Sequence, residues 1–195
     1  MTLKESLTPN EMIRLYAIGA FPMANELTGE IEWYYPNIRA IIPLDNYNIP
    51  RSVRQLIKRN YFQVKYDTNT MEVIRNCAKR ERTWISPELI DYYYEIYKLG
   101  YVHSVETYRF NRLVGGLYGI SIKGAFFGES MFSFEENASK VAFAHLIYHL
   151  IERKFKLLDV QFLTKHLQMF GAIEITLVEY NSLLKRAYET DTTFL

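Results

Sequence analysis

The sequence predicts an α+β fold, a mixed sheet with helices, and three observations carry that prediction. First, HSVETYR, RLVGGLYGISI and GAFFGESMF follow one another from His103, separated by turn chemistry at Asn111 and at Lys123-Gly124, which is the pattern of an antiparallel meander. Second, helical and strand-like segments alternate after the meander, giving the order β-β-β-α-β-α-β-α. Third, all six prolines fall within the first 87 residues, which sets an irregular N-terminal part against a regular C-terminal one.

Each element has a local reason. Thr8-Pro9-Asn10-Glu11 combines an N-cap, a first-turn proline and a capping-box glutamate, with Leu7 and Met12 spaced as a hydrophobic staple, so a helix starts there and stops near Gly19. Trp33-Tyr34-Tyr35-Pro36 reads as an aromatic loop and Ile38 to Ile42 as a short strand. RSVRQLIKR reads as a short helix, Phe62 to Tyr66 as a strand by alternation, and Met71 to Lys79 as a helix. Ser86-Pro87-Glu88 caps another helix that ends before Gly100. Beyond the meander, Asn137 to Glu152 is a longer helix with Phe143, Leu146 and Leu150 at helical spacing. Leu157–Phe162 and Ala172–Thr176 read as strands, Thr164–Met169 and Glu179–Ala187 as helices.

The 195 residues are 49% hydrophobic and 15% aromatic, enough for a large core. A formal net charge of +1 neither demands nor excludes nucleic acid, so local clusters decide. Cys77 is the single cysteine, which excludes an internal disulfide and favours a reducing compartment. The N-terminus lacks a leader pattern, and the most apolar run, Val141 to Ile151, is too short to span a bilayer. A cytoplasmic protein with no membrane partner is expected.

Candidate chemistry sits in few places. In LLDVQF a period of two puts Leu157, Asp159 and Gln161 on one face and Leu158, Val160 and Phe162 on the other; the pair is either an acid orienting an amide for work on an amine or the polar side of a half-exposed strand. In GAFFGESMFS, Phe127, Glu129 and Met131 share a face, and Gly128 permits close approach of another backbone. A carboxylate in that apolar run needs a partner, either a Lys or Arg of the protein or a substrate. Arg51, Arg54 and Lys58 fall on one side of a helix with Arg59 adjacent, and Lys79, Arg80 and Arg82 precede Trp84; such clusters suit phosphates and stacked bases, or form an ordinary solvated face. His145 and His149 stand at i, i+4 without the glutamate of a zinc-protease motif, so no metal is expected. LVGGLYG lacks phosphate-loop spacing, and no Walker lysine follows.

Several phrases together resemble the leucyl/phenylalanyl-tRNA–protein transferase family: GAFPM, WYYPNIRAII, RSVRQLIKR, TWISPELIDYY, HSVETY, LVGGLYGISIKGAFFGESMFS, ENASKVA and LLDVQFLTKHLQMFGA, from about Leu15 to Ile175. The resemblance implies a small N-terminal domain, residues 1–60, shortened relative to the family, and a C-terminal acetyltransferase-like (GNAT-type) catalytic domain, residues 61–195. It also implies transfer of Leu, Phe or less readily Met from aminoacyl-tRNA to proteins with an N-terminal Arg or Lys, marking them for degradation. No cofactor is implied, and a monomer is expected.

By the same resemblance Asp159 and Gln161 activate or position the acceptor amine, and Glu129 lines that centre. Leu117, Phe126, Met131, Phe143, Leu146, Leu150 and Leu158 match the apolar pocket for the donor side chain. Trp84 matches a residue packed on the terminal adenosine, and Arg51, Arg54, Lys58 and Arg59 match a basic patch for the acceptor stem. The chain departs from the family at Met23, where an aromatic often follows Phe-Pro, and at Thr164, where an asparagine commonly supports the acid–amide pair. Two other functions compete: an acyl-coenzyme A acetyltransferase, for which SFEENASK supplies no Gly-rich pyrophosphate loop, and a non-catalytic tRNA- or peptide-binding protein.

Overall fold

The computed structural model describes residues 7–25, 28–79 and 83–195; Arg80 and Arg82 of the second basic cluster lie outside the described residues. Helix α1 (Pro9–Ala17) begins on the expected capping box: the Thr8 hydroxyl accepts from the Glu11 N–H, and the Glu11 carboxylate accepts from the Thr8 N–H at 2.7 Å. Strands β1 (Phe21–Ala24) and β2 (Ile31–Tyr34) then pair antiparallel. Trp33 and Tyr34 are therefore strand residues and not the aromatic loop that their sequence suggests. The difference traces to Pro22, which argues against a strand inside a sheet. In a two-stranded ribbon every strand is an edge, and a missing N–H costs little there.

The main sheet has seven strands in the order β4 (Gln63–Tyr66), β5 (Val102–Arg109), β6 (Arg112–Ile122), β7 (Ala125–Ser133), β8 (Leu157–Gln161), β3 (Ile38–Ile42), β9 (Ile173–Thr176). All neighbours run antiparallel except β7 and β8, which are parallel and joined by the crossover helix α5 (Ala138–Glu152). The meander β5–β6–β7 is as predicted. Strand β3, from the first sixty residues, fills the space between the two last strands.

Each face of the sheet packs its own core. On one, α5 and α2 (Arg51–Lys58) cover Leu117, Phe126, Leu158 and Val160. On the other, α1, α3 (Thr70–Ala78), α4 (Pro87–Lys98) and α7 (Leu177–Tyr188) cover Ile120, Phe127 and Leu157. A chain buried on both sides explains why β8 reads as a nearly continuous buried run.

Gly119 of β6 has no room for a side chain: a Cβ there would press on the Phe127 carbonyl oxygen and lie 2.5 Å from Phe126 Cε1. Gly119→Ala is expected to cost about 1–3 kcal/mol, the usual range for overpacking. Urea denaturation reads this directly, and an unchanged midpoint would mean that β7 gives way freely.

Candidate active site

Two irregularities in neighbouring strands create the site. The β6–β7 pairing steps from Gly119↔Gly128 to Tyr118↔Ser130, so Glu129 is an extra residue on β7. The β3–β8 pairing steps from Ile41↔Asp159 to Ala40↔Gln161, so Val160 is an extra residue on β8. The parallel β7–β8 ladder runs from Ala125↔Leu157 to Phe127↔Asp159, and both bulges lie just past its last rung. A bulge bends its strand and re-aims a side chain. Here the two strands separate past Gly128, whose missing Cβ would lie 3.3 Å from the Asp159 carbonyl oxygen.

The bulges correct the period-two reading of both strands. Phe127 packs in the core under α4 and α7, whereas Met131 packs against the core under α5, so the two do not share a face. Gln161 adopts a left-handed backbone at φ +64°, and the next residue, Phe162, meets Phe21 edge-on at 5.4 Å, on the face opposite to Leu158 and Val160. The five residues of β8 are all buried, which rules out the half-exposed alternative.

A cleft of about 70 Å³ fills the fork. Leu117, Met131, Phe143 and Leu146 line it together with Tyr118, Val160 and Leu167, and Gly128, Glu129 and Ser130 complete its wall. Phe126, Leu150 and Leu158 are buried in the core and do not line it; the Phe126 ring stacks on Phe194 with centroids 5.3 Å apart. Trp84 packs with the core on the α4 side, and its carbonyl accepts the Ala24 N–H at 3.0 Å. Arg51, Arg54, Lys58 and Arg59 lie along the outer side of α2, over the buried Val53, and none has a carboxylate partner among the described residues. Thr164 caps the short helix α6 (Lys165–Gln168), its hydroxyl accepting from the Leu167 N–H at 3.2 Å.

The polar groups fall into two linked clusters. Asp159 is fully buried and ion-paired to Arg39 of β3. Its Oδ2 also accepts the Tyr180 hydroxyl at 2.7 Å, and its Oδ1 accepts the Gln161 backbone N–H at 2.8 Å. Burial pushes the Asp159 carboxyl up, and the Arg39 charge and these donors oppose it. Arg39 is itself fully buried, donates to the Gly19 carbonyl, and lies over the rings of Phe21 and Tyr180 at 4.9 and 4.4 Å. Asp159 thus holds the left-handed turn of Gln161 in place.

Glu129 sits one step closer to the cleft. Its Oε1 accepts from the Gln161 side-chain Nε2 at 3.1 Å, and its Oε2 accepts from the Tyr93 hydroxyl at 2.8 Å. Both donors are neutral; the buried cation of this region is committed to Asp159. Burial pushes the Glu129 carboxyl up to about 7, the Asp159 charge adds to this, and the hydroxyl and amide donors oppose it. Such a group changes protonation near neutrality and is equipped to take and return a proton.

Sequence reasoning alone does not reach Arg39, Tyr93, Tyr16 or Tyr180. Arg39 carries a usable signal, since a lone cation in the apolar run IRAII raises the same question as Glu129. The tyrosines carry none, because an apolar helix face with tyrosine at helical spacing reads as ordinary packing. His149 donates to the Phe194 carbonyl at 2.5 Å, and no group of three potential metal ligands occurs among the described residues. A larger cleft, about 420 Å³, opens at the other end of β8 around Lys154, Lys156 and Arg186 and touches none of these groups.

The family is read from comparison with known proteins. Residues 41–185 match the family model described as leucyl/phenylalanyl-tRNA protein transferase, and residues 5–37 match the model of that family's N-terminal domain. A leucyl/phenylalanyl-tRNA–protein transferase of Salinibacter ruber is 45% identical over 187 residues, covering 96% of this chain and 83% of the relative. Among solved structures, a functionally unknown conserved protein from Staphylococcus epidermidis aligns with a TM-score of 0.46 at 11% identity, over 89% of this chain and 66% of that one, too distant to carry an argument.

Proposed function

Since the chain belongs to the leucyl/phenylalanyl-tRNA–protein transferase family and is an aminoacyltransferase using aminoacyl-tRNA, we propose that the fork between β7 and β8 is where the aminoacyl group changes hands. The observation that carries this reading is the Gln161–Glu129 hydrogen bond at the wall of an apolar cleft. The donor side chain, Leu or Phe and less readily Met, enters between Leu117, Met131, Phe143 and Leu146. The space is smaller than the roughly 150 Å³ cavity that takes up benzene, so entry requires Met131 to move aside, which its unbranched chain allows.

The acceptor is the α-amine of a protein beginning with Arg or Lys. Its nitrogen attacks the ester carbonyl of the aminoacyl-tRNA, the new C–N bond forms as the ester C–O bond breaks, and the terminal ribose oxygen leaves. Gln161, with its amide N–H given to Glu129, offers its carbonyl oxygen to the amine. Glu129 takes the amine proton and returns it to the leaving oxygen. Asp159, saturated by Arg39, Tyr180 and the Gln161 N–H, acts by fixing Gln161. No covalent enzyme intermediate is required.

The parallel β7–β8 pair that splays at the site supports an acetyltransferase-like sheet. One family match ends at residue 37 and the other begins at residue 41, which supports a boundary of the small N-terminal unit just before β3, since β3 belongs to the main sheet, in preference to residue 60. Among the described residues no helix is long and apolar enough to cross a membrane, which is consistent with work on charged tRNA in the cytoplasm.

The reading is tested by incubating the protein with charged Leu-tRNA and a peptide beginning with Arg. Leucyl-peptide should form, and its absence under conditions where the Salinibacter relative works would sink the proposal. The outward-facing cations of α2 are assigned to acceptor-stem phosphates. Neutralising Arg51, Arg54 and Lys58 together should weaken tRNA binding and flatten its salt dependence by about 2–3 in slope, roughly 0.7–0.9 for each phosphate that is no longer neutralised. A filter-binding series from low to high salt measures it, and an unaltered slope would remove α2 from the interface.

A further inference from the structure

We propose that the buried pair Tyr16–Tyr93 is a positioning device for Glu129: Tyr93 pins one carboxylate oxygen so that the other faces Gln161 and the cleft, and Tyr16 orients Tyr93. This rests on the reading of Glu129 as the group that meets the amine.

The bulge at Glu129 is what makes the contact possible. A regular strand residue addresses one face of the sheet, but Glu129 lines the cleft on the α5 side while its Oε2 reaches Tyr93 in the core of the other side. Tyr93 comes from α4 and Tyr16 from α1; their hydroxyls are 3.2 Å apart, and both residues are 0% exposed. Because Tyr93 gives its hydrogen to the carboxylate, its oxygen accepts from Tyr16, which fixes the direction of the chain from α1 to the site.

Water has no access to replace either donor. With Phe at position 93, Oε2 would face an apolar wall and the carboxylate would be free to turn. The titratable and polar groups around Glu129 are Tyr16 from α1, Tyr93 from α4, Tyr118 from β6, and Asp159 and Gln161 from β8. Asp159 is the charged one, and its charge is matched by Arg39. The tyrosine hydroxyls are therefore the main brake on a burial penalty that already holds the carboxyl near 7. When Glu129 carries the amine proton, that proton sits on Oε1 beside the cleft, and Tyr93 goes on donating to Oε2, so the carboxyl does not turn. The proton is kept out of solvent until the leaving ribose oxygen takes it.

The test is an infrared titration of the Glu129 carboxyl band, assigned by its loss in Glu129→Gln, in the full chain and in Tyr93→Phe and Tyr16→Phe. The unaltered protein should titrate at about 7. Tyr93→Phe should move the midpoint up by about one pH unit, the equivalent of one hydrogen bond to a charged group, and Tyr16→Phe should move it less in the same direction. The acid limb of the kcat/KM profile should move with the midpoint. A midpoint that stays put in Tyr93→Phe overturns the proposal, and so does a pH-independent loss of activity with no movement of the band, which is what a packing role predicts. The band reads Glu129 without substrate, so failure of the unaltered protein to transfer leucine would refute the assigned reaction and leave the titration to decide the role of Tyr93.

Discussion

Replacing Arg39 with methionine is expected to destabilise the protein by about 3–5 kcal/mol and abolish transfer with it, because Asp159 is left as a buried charge without a counterion. The pair is fully enclosed on both sides, so solvent screening offers no relief. Asp159→Asn alone should cost a similar amount by stranding Arg39. The double variant Arg39→Met/Asp159→Asn should recover a large part of the stability, since neither charge remains, and still transfer slowly, because a neutral amide oxygen holds the Gln161 N–H less firmly than the carboxylate does. Chemical denaturation of the four proteins yields the coupling energy. Additive losses in that cycle would mean that the two side chains act independently and that Asp159 does not owe its place to Arg39.

Glu129→Gln should do the opposite to stability while silencing the enzyme. A folded-state value of about 7 against the ordinary 4.5 means that the native protein holds this proton more tightly than the unfolded chain does. Stability from this group is therefore intact below about 4.5 and is lost as pH rises to about 7; above that the full cost, on the order of 3 kcal/mol, remains. Glutamine removes the titration. The variant should gain up to that amount at pH 8, gain nothing near pH 4, and transfer leucine at least about 100-fold more slowly, the usual lower bound for loss of a proton-transfer group. Urea titrations at the two pH values check the sign. A variant less stable than the parent at pH 8 would show that the carboxylate is not under strain in the fold.

Much of the fold is legible because it is locally encoded. The capping box at Thr8, the Ser86 cap and the turn residues at Asn111 and Lys123 each act within a few residues of where they are written. Strand β1 escapes because Pro22 is a negative signal whose exception, an isolated ribbon, depends on where the strand ends up. Glu129, Asp159 and Gln161 are visible as polar residues in apolar runs. Their geometry is not, because an inserted residue is defined by its partner strand: Glu129 is extra only relative to Gly119 and Tyr118, and Val160 only relative to Ile41 and Ala40. Counting by twos along either strand gives the wrong face from the bulge onward. The tyrosine donors lie still further from any local rule, since Tyr93 and Glu129 meet across the sheet, 36 residues apart in sequence.

The placement of β3 has a consequence for how the protein is made. Arg39 and Asp159 are separated by 120 residues, yet the strand that carries the first lies between β8 and β9 in the sheet and pairs with both. At roughly 5–20 residues per second, a ribosome needs on the order of 10 s to cover that distance. Throughout it, β3 waits with both edges open and its arginine in water, and the meander can form long before the sheet can close. Catalytic competence is thus gained late, in one long-range step that joins the first-made strand of the main sheet to its last two.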